Sequence, residues 1–239
     1  MQKYNSPLHI VSAHIAELGI TFGQQTVYDK SNEIPAVRQL LDMLDIEGCM
    51  VVADAVNCQR ETAKAVVAGK ADYLLNVKDN KARHRRLCPR QKTMDSSRAI
   101  EKNRDRIERR KAFVTHDIGK EEWAGLACIG AINTQFRTKN GTTEEWHYFI
   151  SSRKLTADEL LKHARLEWSV ETMHWLLDVH FCEDFCRVED KDVQQNLNII
   201  RKLVLNCIKL YKDKNNVKRP VSKIMLECLL DPLCLLPLL

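Results

Sequence analysis

No stretch of this 239-residue chain stays apolar for the roughly 18 residues that a membrane-spanning helix needs, so nothing in it reads as a span. Met1-Gln2-Lys3-Tyr4-Asn5 leads into no apolar segment of signal-peptide type, which argues against secretion. The nine cysteines are odd in number and irregular in spacing, so they propose no disulfide framework and suit a reduced, cytoplasmic protein. His174, His180, Cys182 and Cys186 include zinc-ligating types, but the Cys-x3-Cys pair has no equally clear second pair. Internal repeats are absent. The last residues, from Leu229 to Leu239, are apolar yet short and broken by Pro232 and Pro237, as in a packing or interface tail. What is present is ordinary globular material, 44% hydrophobic and 29% charged, enough for one large domain or one domain with an insertion.

The charge is unevenly spread. From Lys78 to Lys111 there are fourteen Lys and Arg against five Asp and Glu, a local balance of +9 in a chain whose total is +5, which leaves −4 for the rest. A basic segment in a slightly acidic body is suited to docking polyanions, phosphate being the commonest, with a solvated or disordered loop as the plain alternative.

Residues 8–13 and 19–27 read as two strands joined by a turn, followed by an amphipathic helix from Ile34 to Leu44. Cys49-Met-Val-Val-Ala-Asp54 is a short continuous apolar run ending in an acid, the pattern of a strand buried on both faces. A helix from Glu61 to Ala68 and a strand from Ala71 to Lys78 complete a β-β-α-β-α-β order, a mixed sheet with helical crossovers. The basic stretch to about Arg110 shows no period and reads as a loop. Strands follow at 111–116, 126–134 and 146–151, with Lys139-Asn-Gly141 as a hairpin turn between the last two. Thr156-Ala-Asp-Glu159 fits a capping box opening a long helix, and a final helix spans 193–211 with Leu197, Ile200, Val204 and Ile208 on one face.

Two sets of acids stand out. Read as one helix, Arg165 to Asp178 stacks Glu167, Glu171, His174 and Asp178 on a single face, while Leu161, Trp168 and Trp175 repeat every seven residues as a core stripe. Stacked carboxylates repel, and a divalent cation would relieve them; a solvated acidic face is the plain alternative. Asp54 ends a buried strand, where open α/β sheets place their ligands, although an acid there can equally form a turn. A strand-end Asp and a Glu on a later helix are the parts needed to hold two metal ions for in-line phosphoryl transfer.

At this point the sequence resembles the DDE transposases of bacterial insertion sequences, of the H-repeat-associated kind. The resemblance runs through His9-Ile-Val-Ser-Ala13, Asp29-Lys-Ser-Asn-Glu-Ile34, Leu40-Leu-Asp-Met-Leu-Asp45, Asp54 with Cys58-Gln59, and Asp72-Tyr73. It continues in Val77-Lys78 with Asn80, Tyr148-Phe-Ile-Ser-Ser152, Trp168-Ser-Val-Glu171, His174-Trp175, Leu177-Asp178, Glu183-Asp184, Asn196, Arg201 and Asn206. It implies an α/β, ribonuclease-H-like mixed sheet with flanking helices and a small β insertion before the last catalytic helix. It also implies DNA cleavage and strand transfer at transposon ends, using Mg²⁺ or Mn²⁺. Carried over, Asp54 is the second catalytic and metal-binding acid and Glu171 the third; Arg165 and His174 flank the site as DNA-contacting or orienting groups. Arg83, Arg85, Arg86 and Arg106 in the basic segment are further DNA-binding candidates. DNA is the expected partner, in transposon ends and target, and a homo-oligomer is compatible with the family.

The departures are specific too. The family's first catalytic Asp lies on a central strand upstream of the match at His9, so the expectation is an N-terminally truncated copy lacking that strand. Val56-Asn57, Asp79-Asn80-Lys81, Arg104-Asp105-Arg106, Glu167, Thr172 and Glu189 also depart from the family pattern. The expected organisation is a first core part at 1–78, a basic loop and β insertion at 79–152, the catalytic and C-terminal helices at 153–212, and a tail at 213–239. The expected function is a transposase in a truncated, inactive copy, with a non-catalytic DNA-binding or transposase-associating remnant as the alternative.

Overall fold

The structure, a computed structural model, describes residues 9–27, 33–78, 95–103, 106–118, 122–138 and 141–231. The chain divides into two compact units, Val37–Glu167 and the combination of Met1–Ala36 with Trp168–Leu239.

The first unit is a six-stranded mixed sheet in the order β3-β4-β8-β7-β6-β5. Its strands are β3 (Met50–Ala53), β4 (Asp72–Val77), β5 (Asp95–Asn103), β6 (Arg106–Thr115), β7 (Cys128–Thr138) and β8 (Gly141–Ser151). β3 and β4 run parallel, joined by helix α2 (Arg60–Ala68), and every other pairing is antiparallel. The run ending in Asp54 is therefore a strand, but a half-buried one at the edge of this sheet rather than one covered on both faces.

Side-chain alternation divides the sheet into two faces. On one, helix α3 (Ala157–Glu167) lays Leu160, Leu161 and Ala164 over Leu74, Ala112, Val114, Ile132 and Phe149. Gly130 lies beneath that helix, and a Cβ there would come within 2.4 Å of Leu160 Cδ2. The other face packs Tyr73, Leu75, Ile129 and Ile150 against Ala63 and Val66 of α2, with Leu41 of α1 (Glu33–Met43) at the rim. The capping box forms as its sequence requires: Thr156 N donates to Glu159 Oε2 at 2.8 Å and Glu159 N donates to Thr156 Oγ1 at 3.3 Å. Ala157 N donates to Asp95 Oδ2 at 2.7 Å, tying the helix start to β5.

The basic stretch is not all loop. Residues 95–103 and 106–110 are strand, and the ladder through Asn103↔Arg106 makes β5 and β6 a hairpin. Alternation is hard to see there because the inward positions are Glu108 and Arg110, polar residues that are nonetheless buried at 3% and 8% exposure. They pay no heed to the apolar pattern because they neutralise each other: Arg110 pairs with Glu108 and, at 3.1 Å, with Glu101, which also pairs with Arg165. Thr138↔Gly141 closes the β7–β8 ladder over two residues, and Gly141 has φ +141°, a backbone that favours glycine.

The second unit holds the hairpin β1 (His9–Ile15) and β2 (Ile20–Val27), which pair only with each other among the described residues, so the expected single sheet is two sheets. With it are helices α4 (Ser169–Phe181), α5 (Lys191–Lys214) and α6 (Val221–Leu230), the last lying in the segment expected as a tail. Met173, Leu176, Leu177, Leu205, Ile208, Val221 and Ile224 form its core. Asp190 caps α5 by accepting from Asp192 N at 2.9 Å and Val193 N at 3.0 Å.

The expected single long helix is two helices. The break falls at Trp168, at φ −68° and ψ −11°, which is also where the two units meet in sequence. The seven-residue stripe accordingly fails: Leu161 is buried in one core, whereas Trp175 is 54% exposed.

Gly130→Ala is expected to destabilise the chain by about 1–3 kcal/mol through overpacking against Leu160. Denaturant midpoints check this, and Leu160→Ala in the same background should recover part of the loss, a coupling that two independent sites would not show.

Candidate active site

Asp54 follows the last residue of β3 and is exposed. Its Oδ1 accepts from Asn57 N at 3.2 Å and from Asn57 Nδ2 at 2.9 Å, an Asx-type turn that bends the chain between strand and helix. Gln59 N then donates to Asn57 O at 2.8 Å, and Ala63 N to Gln59 O at 3.0 Å, so the turn runs directly into α2. Behind it, burial and then the charge of Asp54 push the Cys58 thiol up to about 11, which keeps it protonated and unreactive at neutral pH. Asp54 is thus both at a strand end and a turn former; the two readings of the sequence coexist in one side chain.

Glu171 sits in the first turn of α4, where the N-terminal end of the helix dipole favours a carboxylate, and it is exposed. Glu171, His174 and Asp178 share a side of α4 by spacing, whereas Glu167 belongs to α3 before the break. His174 is exposed and lies near His14 of β1, whose ring nitrogens are buried without a hydrogen-bond partner among the described residues. Burial, then the positive charge of Lys209, then that of His174 lower the His14 pKa from 6.5 to about 4, so this imidazole is neutral at physiological pH.

Asp54 and Glu171 fall in different units. Among the described residues, no three His, Cys, Asp or Glu side chains gather as a metal site. The described residues therefore do not by themselves fit a complete divalent-metal centre.

The basic candidates are placed unevenly. Arg165 lies in the last turn of α3 and is drawn into the ion pair with Glu101. Arg106 begins β6, and Arg83, Arg85 and Arg86 lie outside the described residues. Arg109 and Lys111 of the basic segment lie on β6, and what sequence reading missed is the aromatic face they share with β7 and β8. Register puts Arg109, Lys111 and Phe113 of β6 on the face shared by Asn133, Gln135 and Arg137 of β7 and by Glu144, Trp146 and Tyr148 of β8. The Phe113 and Trp146 rings stack at 6.1 Å, and Trp146 and Tyr148 at 6.3 Å. Glu144 Oε1 accepts from Trp146 Nε1 at 3.1 Å and from Asn133 Nδ2 at 2.5 Å, which fixes the indole. Alternation through Glu144, Trp146 and Tyr148 was the available signal.

The transposase DDE domain profile matches residues 3–207. The chain belongs to the transposase DDE domain family. It is 31% identical to YncI of Escherichia coli O157:H7 over 94% of its own length and 62% of that relative's. It is likewise 31% identical to the H repeat-associated YhhI of Escherichia coli K12, over 84% of this chain and 58% of that one. Both relatives carry transposase names, and the chain spans about three-fifths of their length. The fold is similar to that of the piggyBac transposase solved by cryo-EM in a synaptic complex with hairpin DNA, with a TM-score of 0.53 at 10% identity, covering 95% of this chain and 47% of that one. The ribonuclease-H-like mixed sheet with flanking helices is accordingly the fold of this transposase-family chain.

His14 gives this unit an acid sensitivity of definite sign. Its folded pKa is depressed, so its neutral form contributes stability that is fully present above pH 6.5 and is lost as pH falls toward about 4. Thermal melts across that window should show a fall for the parent chain that His14→Phe removes; parallel pH curves would exclude the assignment.

Proposed function

We propose that this chain is a DNA-processing domain of an insertion-sequence transposase, carrying two acids of the catalytic set, Asp54 and Glu171. The observation that carries the reading is the family match across residues 3–207, within which Asp54 directly follows a sheet strand and Glu171 lies in the first turn of a helix. In-line phosphoryl transfer at DNA needs hard oxygen ligands supplied from separate elements around divalent ions, Mg²⁺ or Mn²⁺ in this family. His174, on the Glu171 side of α4, and Arg165 are proposed to contact or orient DNA. The two acids rest on the resemblance in sequence, and because no three metal-ligating side chains gather among the described residues, the isolated chain is proposed to bind DNA without cutting it. Metal-dependent joining of transposon-end DNA by the purified chain, abolished by Asp54→Ala, would overturn that part and leave the family reading intact.

The β6–β8 face supports the DNA reading separately from catalysis. Arg109, Lys111 and Arg137 match phosphates in charge, and the Phe113–Trp146–Tyr148 rings offer flat surfaces for unpaired bases. The basic segment with Arg83, Arg85, Arg86 and Arg106 extends the proposed polyanion surface in sequence.

Fluorescence anisotropy with labelled DNA tests the surface. Affinity is expected to fall steeply with salt, and Arg109→Gln with Arg137→Gln should reduce the log–log salt slope by about 1–2. Trp146→Ala should weaken single-stranded DNA by roughly 5- to 150-fold while sparing duplex. Unchanged slopes and affinities would remove this face from the DNA-binding surface.

A further inference from the structure

Four charged side chains of the larger unit form one series of ion pairs. Glu108 of β6 pairs with Arg110, Arg110 pairs with Glu101 of β5 at 3.1 Å, and Glu101 pairs with Arg165 in the last turn of α3. The order of the series is also an order of burial. From Glu108 outward the side chains are 4, 10, 25 and 51% exposed, so the network runs from the interior to the surface and Arg165 is its outermost member.

Burial separates the outer pair from the inner ones. Removing one partner of a buried pair leaves an uncompensated charge, which folded proteins resist strongly. An exposed pair is screened and weakly held. Glu101 places Oε2 on Arg110 and Oε1 on Arg165, so it keeps a cation when Arg165 leaves. Arg165 is thus exchangeable: its departure strands no buried charge, and its guanidinium can offer two N–H donors to another anion.

There is room for such an anion. Helix α3 and strand β5 border a cleft of about 390 Å³ whose lining includes Ser97, Arg98, Asp158, Lys162 and Arg165. Lys162 and Arg98 are exposed, and Lys162 lies one turn before Arg165 on the same side of α3. The lining carries three cations against one acid, and that acid is engaged: Asp158, two turns before Arg165, accepts from Ser97 Oγ. Asp95 and Glu159 serve the helix start through Ala157 N and Thr156 N, and Glu167 ends α3 half-buried outside the lining. At the Arg165 end the cations meet Glu101.

We infer that this cleft is a binding site for a backbone phosphate of DNA and that Glu101 is its gate, holding Arg165 in the free chain and yielding it when DNA docks. The inference rests on the reading of Arg165 as a DNA contact and adds how that contact is regulated. A phosphate takes the guanidinium face that Glu101 now occupies, with Lys162 beside it, while Glu101 stays paired with Arg110.

Fluorescence anisotropy with labelled duplex across a salt series compares the parent with Glu101→Gln, Arg165→Gln and the double variant, with circular dichroism checking each fold. Glu101→Gln should tighten duplex binding by about 2- to 5-fold, the hold of an exposed ion pair. Adding Arg165→Gln should cancel that gain and flatten the log–log salt slope by about 1. Lys162→Gln, a change at an exposed position, should also flatten the slope by about 1 and decides the matter if Glu101→Gln does not fold. Inorganic phosphate replacing chloride at fixed ionic strength should compete more strongly in Glu101→Gln than in the double variant. Equal affinity for parent and folded Glu101→Gln, a gain that survives Arg165→Gln, or an unchanged slope in Lys162→Gln overturns the gate while duplex binding itself persists. Phosphate competition that needs Arg165 in a chain whose duplex affinity ignores Glu101→Gln assigns the cleft to a free phosphate compound and overturns the DNA assignment. If neither parent nor Glu101→Gln binds duplex, the DNA-binding reading itself fails and the gate with it.

Discussion

The antiparallel pairing of β8 on both its edges is the constraint on which the larger unit depends. On one side β8 pairs with β4, Leu74 opposite Ser151 through Val77 opposite Tyr148; on the other it pairs with β7 over its whole length. The short parallel pair β3–β4 thereby joins the long antiparallel strands β5–β7 in one sheet. The junction is reinforced by side chains. Tyr73 is fully buried, its N–H donates to Ser152 Oγ at 2.9 Å and its hydroxyl to Ala124 O at 2.9 Å. Asp72 accepts from Ser152 Oγ at 2.8 Å and from Arg153 Nε at 2.7 Å. Burial holds the Tyr73 hydroxyl well above its usual pKa, so it remains a donor throughout the working range. The strand that carries Asp54 is positioned by β4 alone among the described residues, and β4 is positioned by this junction.

The smaller unit relies on a different kind of contact. Its helices share an apolar core, but the seam between α5 and the hairpin is made by Lys202 and Asn206 side chains reaching strand groups. A buried lysine is costly, and desolvation lowers the Lys202 pKa to about 8 despite the charge of Glu183. What it gains is direction: hydrogen bonds fix helix rotation more narrowly than apolar contact does. That fixed rotation decides which residues of α5 face outward, Ile200 and Val204 among them.

Much of the architecture was legible in the sequence because it was written in periodicity and caps. The strand at 50–53, the helix at 60–68 and the Thr156–Glu159 capping box fell where apolar runs and hydrogen-bonding types put them. Three features were not. The β5–β6 hairpin was obscured because its inward positions are Glu101, Glu108 and Arg110, whose burial depends on cross-strand charge pairing that no single strand displays. The break at Trp168 has no Pro or Gly to announce it, and the residues around it keep a helical period on both sides. For α5, the apolar period does not show which side meets the core: Ile208 is buried while Ile200 and Val204 are exposed, and Lys202 and Asn206 have partners on the strands.

The candidate acids were legible as residues and only partly as chemistry. Asp54 has one oxygen occupied by Asn57, so the turn that shapes the strand end also holds the carboxylate in place without burying it. Glu171 is placed by a different device, the first turn of a helix, with a neutral His14 beneath its neighbour His174. An acid fixed by a turn and an acid fixed by a helix terminus keep their directions for separate structural reasons. Changes to one element therefore leave the other acid's local placement intact. Strand end and helix start each need only their own few residues to set the side chain, Asn57 for Asp54 and the first turn of α4 for Glu171.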